Sequence, residues 1–283
     1  MKKIDEEYFL KYYHCYSSTV SNVLGISELE ILSSLQLLEL QINYETNALS
    51  SVLYAITDEF IEKYCITESI KDEKILKRLI SLENGKYCLL TKTKNLKYSV
   101  PFKRYSDVLH FVTVEKKERD FYIIDTFDGI DFYEFVNIQK FDFRGSILTL
   151  LCFKKDYCRK ILEVDEIVNW YLENEKNTIY EKYIEYVKNA KITIDTVIGF
   201  TISGFLSSRI AFLCLLKQQG RISIEEYKNF AAQLLNRAEH IKLLLAKLQF
   251  RQSTKDMNKM IDLFYELKKL EDQIIKIVLK QRG

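Results

Sequence analysis

The pattern of apolar and polar positions changes near residue 155 of the 283-residue chain. Before that point, segments with apolar residues at helical spacing mix with short alternating segments that are typical of strands. After it, helical spacing continues nearly to the end. The pattern predicts an α+β fold with two domains, residues 1–155 and residues 156–283. We expect the second domain to be a helical bundle that packs on the first or covers it as a lid.

Start and stop signals set the limits of the predicted elements. The predicted helices of the first part are Cys15–Leu24, which Gly25 ends, Ser27–Gln41, which opens with the capping box Ser27-x-x-Glu30, Ala55–Tyr64 and Lys71–Leu82. The predicted strands are Tyr87–Lys92, Tyr98–Phe102, Ile147–Phe153 and the two strands of a hairpin at 109–125. In the second part the predicted helices are Val164–Glu175, Thr178–Ala190, Ile194–Lys217, Ser223–Phe250, with the capping box Ser223-x-x-Glu226, and Thr254–Lys280.

The hairpin at 109–125 brings two chemically useful side chains together. Its strands are alternating segments rich in aromatic and β-branched residues, and the charged run 115–120 lies between them. A turn centred between positions 117 and 118 gives three facing pairs: His110 with Asp125, Val112 with Ile123, and Val114 with Phe121. Because side chains alternate across a strand, all six share one face. A carboxylate beside an imidazole fixes the ring tautomer and stabilises the imidazolium.

Cys15 leads the first predicted helix and is the candidate nucleophile. The positive end of a helix dipole favours a thiolate, and an imidazole partner activates it. The alternative is a buried structural thiol, as free cysteines commonly are, and the other five cysteines are expected to lie in the core. A single histidine on an apolar strand is also more often a core residue, but the facing Asp125 favours a catalytic role for His110.

Composition and charge argue against nucleic-acid binding, a zinc site, secretion and a membrane span. A net charge of +2 indicates no strong attraction to nucleic acid. Six cysteines without a CxxC pair and only three histidines argue against zinc, so no metal is predicted. The N-terminus turns acidic at once and lacks the apolar segment of a secretory signal, which predicts a cytoplasmic protein with free thiols. Arg209 in the apolar run Val197–Leu216 favours a buried helix over a membrane span.

The order of these residues resembles that of papain-fold cysteine enzymes. Cys15 is followed 95 residues later by a His-Phe-Val-x-Val strand that begins at His110, then by a short hairpin and Ile-x-Asp-x-x-x-Gly around Asp125. The chain is most similar to C39-like peptidases and to butirosin-type acyltransferases, the latter through His14-Cys15 and the Gly-Ile-Ser-Glu sequence at 25–28. A similar arrangement is found in closthioamide-type amide synthases. The resemblance covers about the first 155 residues, and the helical half has no counterpart in C39-like peptidases.

The resemblance implies a role for each member of a triad. Cys15 would be the nucleophile, His110 the general base and acid, and Asp125 the residue that orients the ring. Papain-fold peptidases have a Gln about six residues before the Cys as an oxyanion donor, but this chain has Phe9 there and no Gln before Cys15. The backbone N–H of Cys15 would then act with a second donor. The candidates for that donor are Tyr12, Ser18 and Asn22.

The missing Gln favours acyl transfer from a reactive thioester over hydrolysis of a peptide amide. The expected function is a cysteine acyltransferase or amide synthase of secondary-metabolite biosynthesis. It would move an acyl group from a carrier-protein or coenzyme A thioester, through a Cys15 acyl-enzyme, to a small amine that His110 deprotonates. The helical half would exclude water from this intermediate.

The expected partners are an acyl carrier protein and the amine, with no nucleic acid, no membrane and no cofactor beyond the phosphopantetheine of the substrate. The candidate residues for an acidic carrier protein are Lys242, Lys247 and Arg251, with Lys255 and Lys259 beside them. The alternatives are a C39-like peptidase or amidase on the same triad, and a non-catalytic binding module with a degenerate papain fold.

Overall fold

The computed structural model describes residues 15–25, 35–51, 66–71, 74–96, 109–125, 132–143, 149–153, 163–174, 178–202 and 204–281. Helices and antiparallel sheets are mixed, which agrees with the predicted α+β class. The chain divides into two compact units. One consists of Met1–Ile31 and Ala55–Arg159, and the other of Leu32–Tyr54 and Lys160–Gly283.

The elements are numbered in chain order. The helices are α1 (Cys15–Leu24), α2 (Lys74–Ser81), α3 (Val164–Asn174), α4 (Ile179–Asn189), α5 (Ile194–Ile202), α6 (Phe205–Gln218), α7 (Ile224–Phe250) and α8 (Thr254–Lys280). The strands are β1 (Leu40–Asn43), β2 (Ala48–Ser51), β3 (Ile66–Lys71), β4 (Gly85–Lys92), β5 (Leu109–Lys117), β6 (Asp120–Asp125), β7 (Phe132–Val136) and β8 (Thr149–Phe153). Short 3₁₀ turns lie at Leu35–Leu38, Thr93–Asn95 and Ile138–Lys140.

The first unit is built on an antiparallel sheet with strand order β3-β8-β4-β5-β6-β7. Because side chains alternate, the two faces of this sheet have different partners. On one face, Val20 of α1 packs against Cys88 and Leu151. On the other face a larger core forms around α2, and it includes Ile75, Leu79, Leu89, Val112, Val114, Ile123 and Leu150. The central strands of the sheet are therefore buried between α1 and α2.

The predicted hairpin at 109–125 is confirmed, but its register is wrong by two residues. Val114 pairs with Ile123, not with Phe121, and Lys117 pairs with Asp120. The turn contains only Glu118 and Arg119, because most of the charged run extends the strands. Glu118 has a φ of 55°, the left-handed conformation that closes a two-residue hairpin loop. Since the side-chain period of a strand is two, a shift of two residues keeps every side chain on its predicted face.

Other predictions for the first unit are confirmed in part. The helix Cys15–Leu24 has the predicted limits, and Gly25 (φ +66°) ends it. The helix predicted from Lys71 begins at Lys74 because Lys71 completes β3, which pairs with β8. The capping box at 27–30, the helix at 55–64 and the strand at 98–102 lie outside the described residues. Strands β3 and β7 were not predicted.

Residues 32–54 belong to the second unit, although the sequence placed them in the domain 1–155. The predicted helix through Gln41 is also wrong at its end, where a 3₁₀ turn leads into β1. The Asn43 side chain accepts the backbone N–H groups of Glu45 and Thr46 and so closes the β1–β2 turn. The β1–β2 hairpin and the 3₁₀ turn at 35–38 pack against α3, α4, α5 and α6. These contacts explain why residues 32–54 belong to the second unit.

The helices of the second unit follow the sequence closely. The capping box at α7 is confirmed: the Ser223 hydroxyl accepts the Glu226 N–H at 3.1 Å, and the Glu226 carboxylate accepts the Ser223 N–H at 2.8 Å. The helix predicted over 194–217 is two helices, α5 and α6, with Gly204 between them in the left-handed conformation (φ +66°).

Within the described part of the chain, the stretch Ile194–Gln218 is long and apolar enough to cross a membrane. Its mean hydropathy reaches 1.6, and 81% of the most apolar window is buried inside the structure. A core helix of a soluble protein meets the same criteria.

A charged network lies buried in the second unit. Arg209 of α6 is 2% exposed, and its Nε donates to Glu271 Oε1 of α8 at 2.6 Å. The same guanidinium donates to the Leu38 carbonyl at 2.8 Å and to Ser208 Oγ at 2.9 Å. Tyr180 of α4 donates its hydroxyl to Glu271 Oε1 at 2.5 Å. Three helices and the 3₁₀ turn at 35–38 are thus joined by one set of hydrogen bonds.

Gly199 of α5 lies directly against the β1–β2 turn. A Cβ at this position would be 2.5 Å from both Cβ and Oγ1 of Thr46. We expect Gly199→Ala to lower the free energy of unfolding by about 1–3 kcal/mol through overpacking, although alanine is intrinsically the better helix former. The loss would be measured by urea unfolding, followed through the fluorescence of Trp170, the single tryptophan of the chain.

The double variant Gly199→Ala/Thr46→Gly serves as the control, because it removes the two nearest atoms that the new methyl group would meet and leaves only Ala48 Cβ, at 3.1 Å. Gly199→Ala should therefore lower the free energy of unfolding less in the Thr46→Gly background than in the wild-type protein. Unchanged stability in Gly199→Ala would show that the turn can move away without cost.

Candidate active site

The predicted triad residues all lie at the ends of elements in the first unit. Cys15 is the first residue of α1, His110 the second of β5 and Asp125 the last of β6. One hydrogen bond joins α1 to the sheet, and a second, within α1, links the same residue to Cys15. Thr113 of β5 donates its hydroxyl to the Thr19 carbonyl at 3.3 Å, and Thr19 donates its hydroxyl to the Cys15 carbonyl at 2.7 Å.

His110 and Asp125 are in direct contact. The ring Nε2 donates to Asp125 Oδ2 at 2.8 Å, and both residues are buried, with 2% and 8% exposure. In the observed register the two residues are diagonal neighbours and do not face each other directly. Diagonal neighbours on one face remain within reach of long side chains. The predicted contact is therefore present, with a geometry different from the one expected.

Cys15 is the second partner of the His110 ring. Burial disfavours the charged imidazolium, but the charge of Cys15 and hydrogen bonds to Asp125 and Cys15 outweigh it and raise the pKa of His110 to about 10. Because Nε2 is bound to Asp125, Nδ1 is the ring nitrogen left to face the half-buried sulfur. The ring is thus held between the Asp125 carboxylate and the Cys15 sulfur, and both raise the pKa of the imidazole.

The buried Thr91 and the half-buried Asn95 form a polar pair beside His110 that sequence reasoning missed. Thr91 is the direct cross-strand partner of His110, on the side away from β6. Asn95 Nδ2 donates to Thr91 Oγ1 at 3.0 Å and to the Asp142 carbonyl at 3.1 Å. Thr91 ends a run of four consecutive buried positions in β4, and only the register of β4 with β5 places it beside the ring.

The three candidates for the second oxyanion donor have different positions. Tyr12 lies outside the described residues. Ser18 is buried one turn after Cys15 in α1. Asn22 is seven residues from Cys15, about 10 Å along the helix axis, so the structure does not bring it to the thiol. The backbone N–H of Cys15 is in the first turn of α1, where helices leave such groups without an intrahelical partner.

The candidate carrier-binding residues belong to the second unit, whereas the triad belongs to the first. Lys242 lies 3.9 Å from Glu239, and Arg251, just after the end of α7, lies 3.2 Å from Asp256. Lys247 is exposed on α7 between them.

Neither a metal-binding group in the described ranges nor a similarity to a known protein indicates the function. Among the described residues, no group of three or more His, Cys, Asp or Glu side chains could hold a metal ion. No protein-family model matches the chain, and no curated protein matches it significantly. The function is therefore inferred from the arrangement of Cys15, His110 and Asp125.

We expect the His110 ring to remain protonated through neutral pH and to lose its proton near pH 10. In Cys15→Ala the midpoint should fall, because the charge and the hydrogen bond of Cys15 are then lost while Asp125 remains. The two titrations can be followed by NMR of ¹⁵N-histidine-labelled protein. A midpoint that is the same in both proteins would show that Cys15 and His110 do not interact.

Proposed function

We propose that the protein is a cysteine-dependent acyltransferase that forms an amide through a Cys15 acyl-enzyme on a papain-like domain. The observation that supports this most strongly is the arrangement of His110, which holds Asp125 at 2.8 Å on one ring nitrogen and is hydrogen-bonded to Cys15. A nucleophile, a base and an orienting carboxylate in series form the usual unit of acyl transfer through a covalent intermediate.

The first half of the reaction transfers the acyl group to Cys15. The Cys15 thiolate attacks the carbonyl carbon of a carrier-protein or coenzyme A thioester, and a tetrahedral oxyanion forms. The C–S bond of the donor then breaks, and the departing thiolate takes the proton of the His110 imidazolium. The products are the Cys15 thioester, a free donor thiol and a neutral His110.

The second half depends on a change in the basicity of His110. Acylation removes the charge of Cys15, which contributes to the high pKa of the ring. The pKa of His110 then falls toward the range in which an imidazole acts as a general base. It accepts a proton from the attacking amine, the amide forms, and Cys15 leaves as a thiolate beside the imidazolium, which restores the starting state.

A thioester donor suits this site better than a peptide. A thiolate leaves readily without strong protonation, whereas an amide nitrogen must be protonated as it departs. The absence of a Gln before Cys15 supports the same choice, because a peptide amide needs stronger oxyanion stabilisation.

The test combines the protein with a panel of acyl-pantetheine thioesters and primary amines. The proposal predicts equal amounts of free thiol and amide, and an acyl adduct on Cys15 by intact mass when the amine is omitted. Carboxylate as the only product at saturating amine would identify a hydrolase.

A measurement without substrate separates an active site from a degenerate fold. Iodoacetamide should label Cys15 at pH 6 faster than it labels free N-acetylcysteine, and His110→Ala should remove the difference. Labelling of the wild-type protein at the rate of a free thiol would favour a non-catalytic binding module.

A further inference from the structure

The solvent face of α7 between Leu243 and Phe250 exposes large apolar side chains. Phe250 is 83% exposed and Leu243 is 56% exposed. Ala246 and the exposed Lys247 lie between them, at spacings of three and four residues, so the four share one side of the helix. The opposite side of α7 is buried in the core through Leu244, Leu245 and Leu248. We call this exposed strip, with the flanking Lys242 and Arg251, the α7 face.

The segment that contains the α7 face has an excess of positive charge. Residues 239–259 contain five basic and two acidic side chains and have a net charge of +3, whereas the whole chain has +2. Lysine near the C-terminus of α7 is favoured by the helix dipole, but Lys255 in the first turn of α8 opposes it. The α7 face therefore combines two exposed apolar side chains with an excess of positive charge.

We propose that the α7 face docks an acidic amphipathic helix of a partner protein. Leu243 and Phe250 are seven residues apart, about 10 Å along the axis, which matches the spacing of apolar residues on one side of a partner helix. Lys247 lies within the strip and Lys242 and Arg251 flank it, so carboxylates beside the apolar side of the partner helix would meet positive charge. The proposal concerns the second unit alone and does not depend on the catalytic role of Cys15.

Two other occupants fit the face less well. A second copy of the chain would bring the same basic residues together, and like charges would oppose the contact. A membrane surface needs a broad apolar face. On α7 the strip narrows to two large apolar residues and continues N-terminally into Glu239 and Asn236, which are exposed and polar.

The binding test uses two synthetic helical peptides with leucines at i, i+3, i+4 and i+7. One has glutamates on its flanks and the other has lysines there. Fluorescence anisotropy should show binding of the glutamate peptide to the full-length protein and little binding of the lysine peptide. Phe250→Ser should weaken the binding roughly tenfold or more, because a large apolar contact is lost. Lys242→Glu/Lys247→Glu should reverse the preference between the peptides.

Two substitutions elsewhere in the second unit serve as matched controls. Leu172→Ser removes an exposed leucine of α3, and Lys228→Glu reverses an exposed charge near the start of α7. Neither should change the affinity. The proposal is overturned if the glutamate peptide does not bind, or if Phe250→Ser leaves its affinity unchanged. Binding of phosphatidylserine vesicles in place of the peptide, lost in Phe250→Ser, would also overturn it and identify a membrane surface.

Discussion

Cys15→Ala should lower the rate of amide formation by roughly 10⁴-fold or more, with little change in the melting temperature. The reaction loses the only atom that can hold the acyl group, so no later step can replace it. The fold should tolerate the change because Cys15 is half-buried at the first position of α1. The rate is measured as thiol release from an acyl-pantetheine thioester in the presence of the amine.

Matched variants separate the loss of the nucleophile from a general effect of removing a thiol. Cys214→Ala makes the same substitution at a buried position of the second unit and should keep the wild-type rate. His110→Ala should be as inactive as Cys15→Ala, and the double variant should be no worse, because the two residues act as a unit. Since His110 is buried, His110→Gln, which retains more volume, should also be tested. Wild-type turnover in either His110 variant would exclude the proposed base.

Asp125→Asn should be less severe than either of these changes. The amide can still hold the ring, but it no longer stabilises the imidazolium and it permits the wrong tautomer. Residual activity that rises with pH would fit this explanation, because the neutral ring is then the competent base.

Glu271→Gln should lower the free energy of unfolding of the second unit by about 3–5 kcal/mol. The change keeps the shape of the side chain but leaves the Arg209 guanidinium buried without its counter-ion. Desolvation then acts against the charge with no carboxylate to offset it. Urea unfolding can follow this unit through Trp170, whose indole N–H donates to Glu39 in the same unit.

A double-mutant cycle tests whether the loss comes from the pair. Arg209→Met/Glu271→Leu should be less destabilised than the sum of the two single changes, because no charge is left unpaired. Asp272→Asn, which breaks the more exposed contact of Lys268 and Asp272 on the same helix, should cost at most about 0.5 kcal/mol. A similarly small loss in Glu271→Gln would mean that water reaches Arg209.

The contact of His110 with Asp125 could be predicted because it requires only that both side chains lie on the same face of the hairpin. Alternation assigned both residues to one face of the hairpin, and an error of two residues in register left that assignment unchanged. The approach of Cys15 could not be predicted from periodicity. It depends on how α1 lies on the sheet, which the long-range contact of Thr113 with Thr19 sets.

The parts of the fold that were missed are those in which tertiary contacts outweigh local pattern. Leu35–Asn43 has enough leucine to favour a helix, yet it forms a 3₁₀ turn and β1 because it packs within the helical unit. The network around Arg209 joins residues that are 62 and 171 positions apart. The apolar run around Arg209 predicted that its helix is buried, but residues so distant in the chain could not be identified as its partners.

The path of the chain between the units affects how the protein can be made. The chain crosses from the first unit to the second near residue 31, returns near residue 55 and crosses again near residue 159. A ribosome therefore completes the first unit while 32–54 still lacks the helices that bury Leu37, Leu38 and Leu49. A fragment that ends at Arg159 would expose these leucines to water, so cleavage of the chain at a single point cannot separate the two units intact.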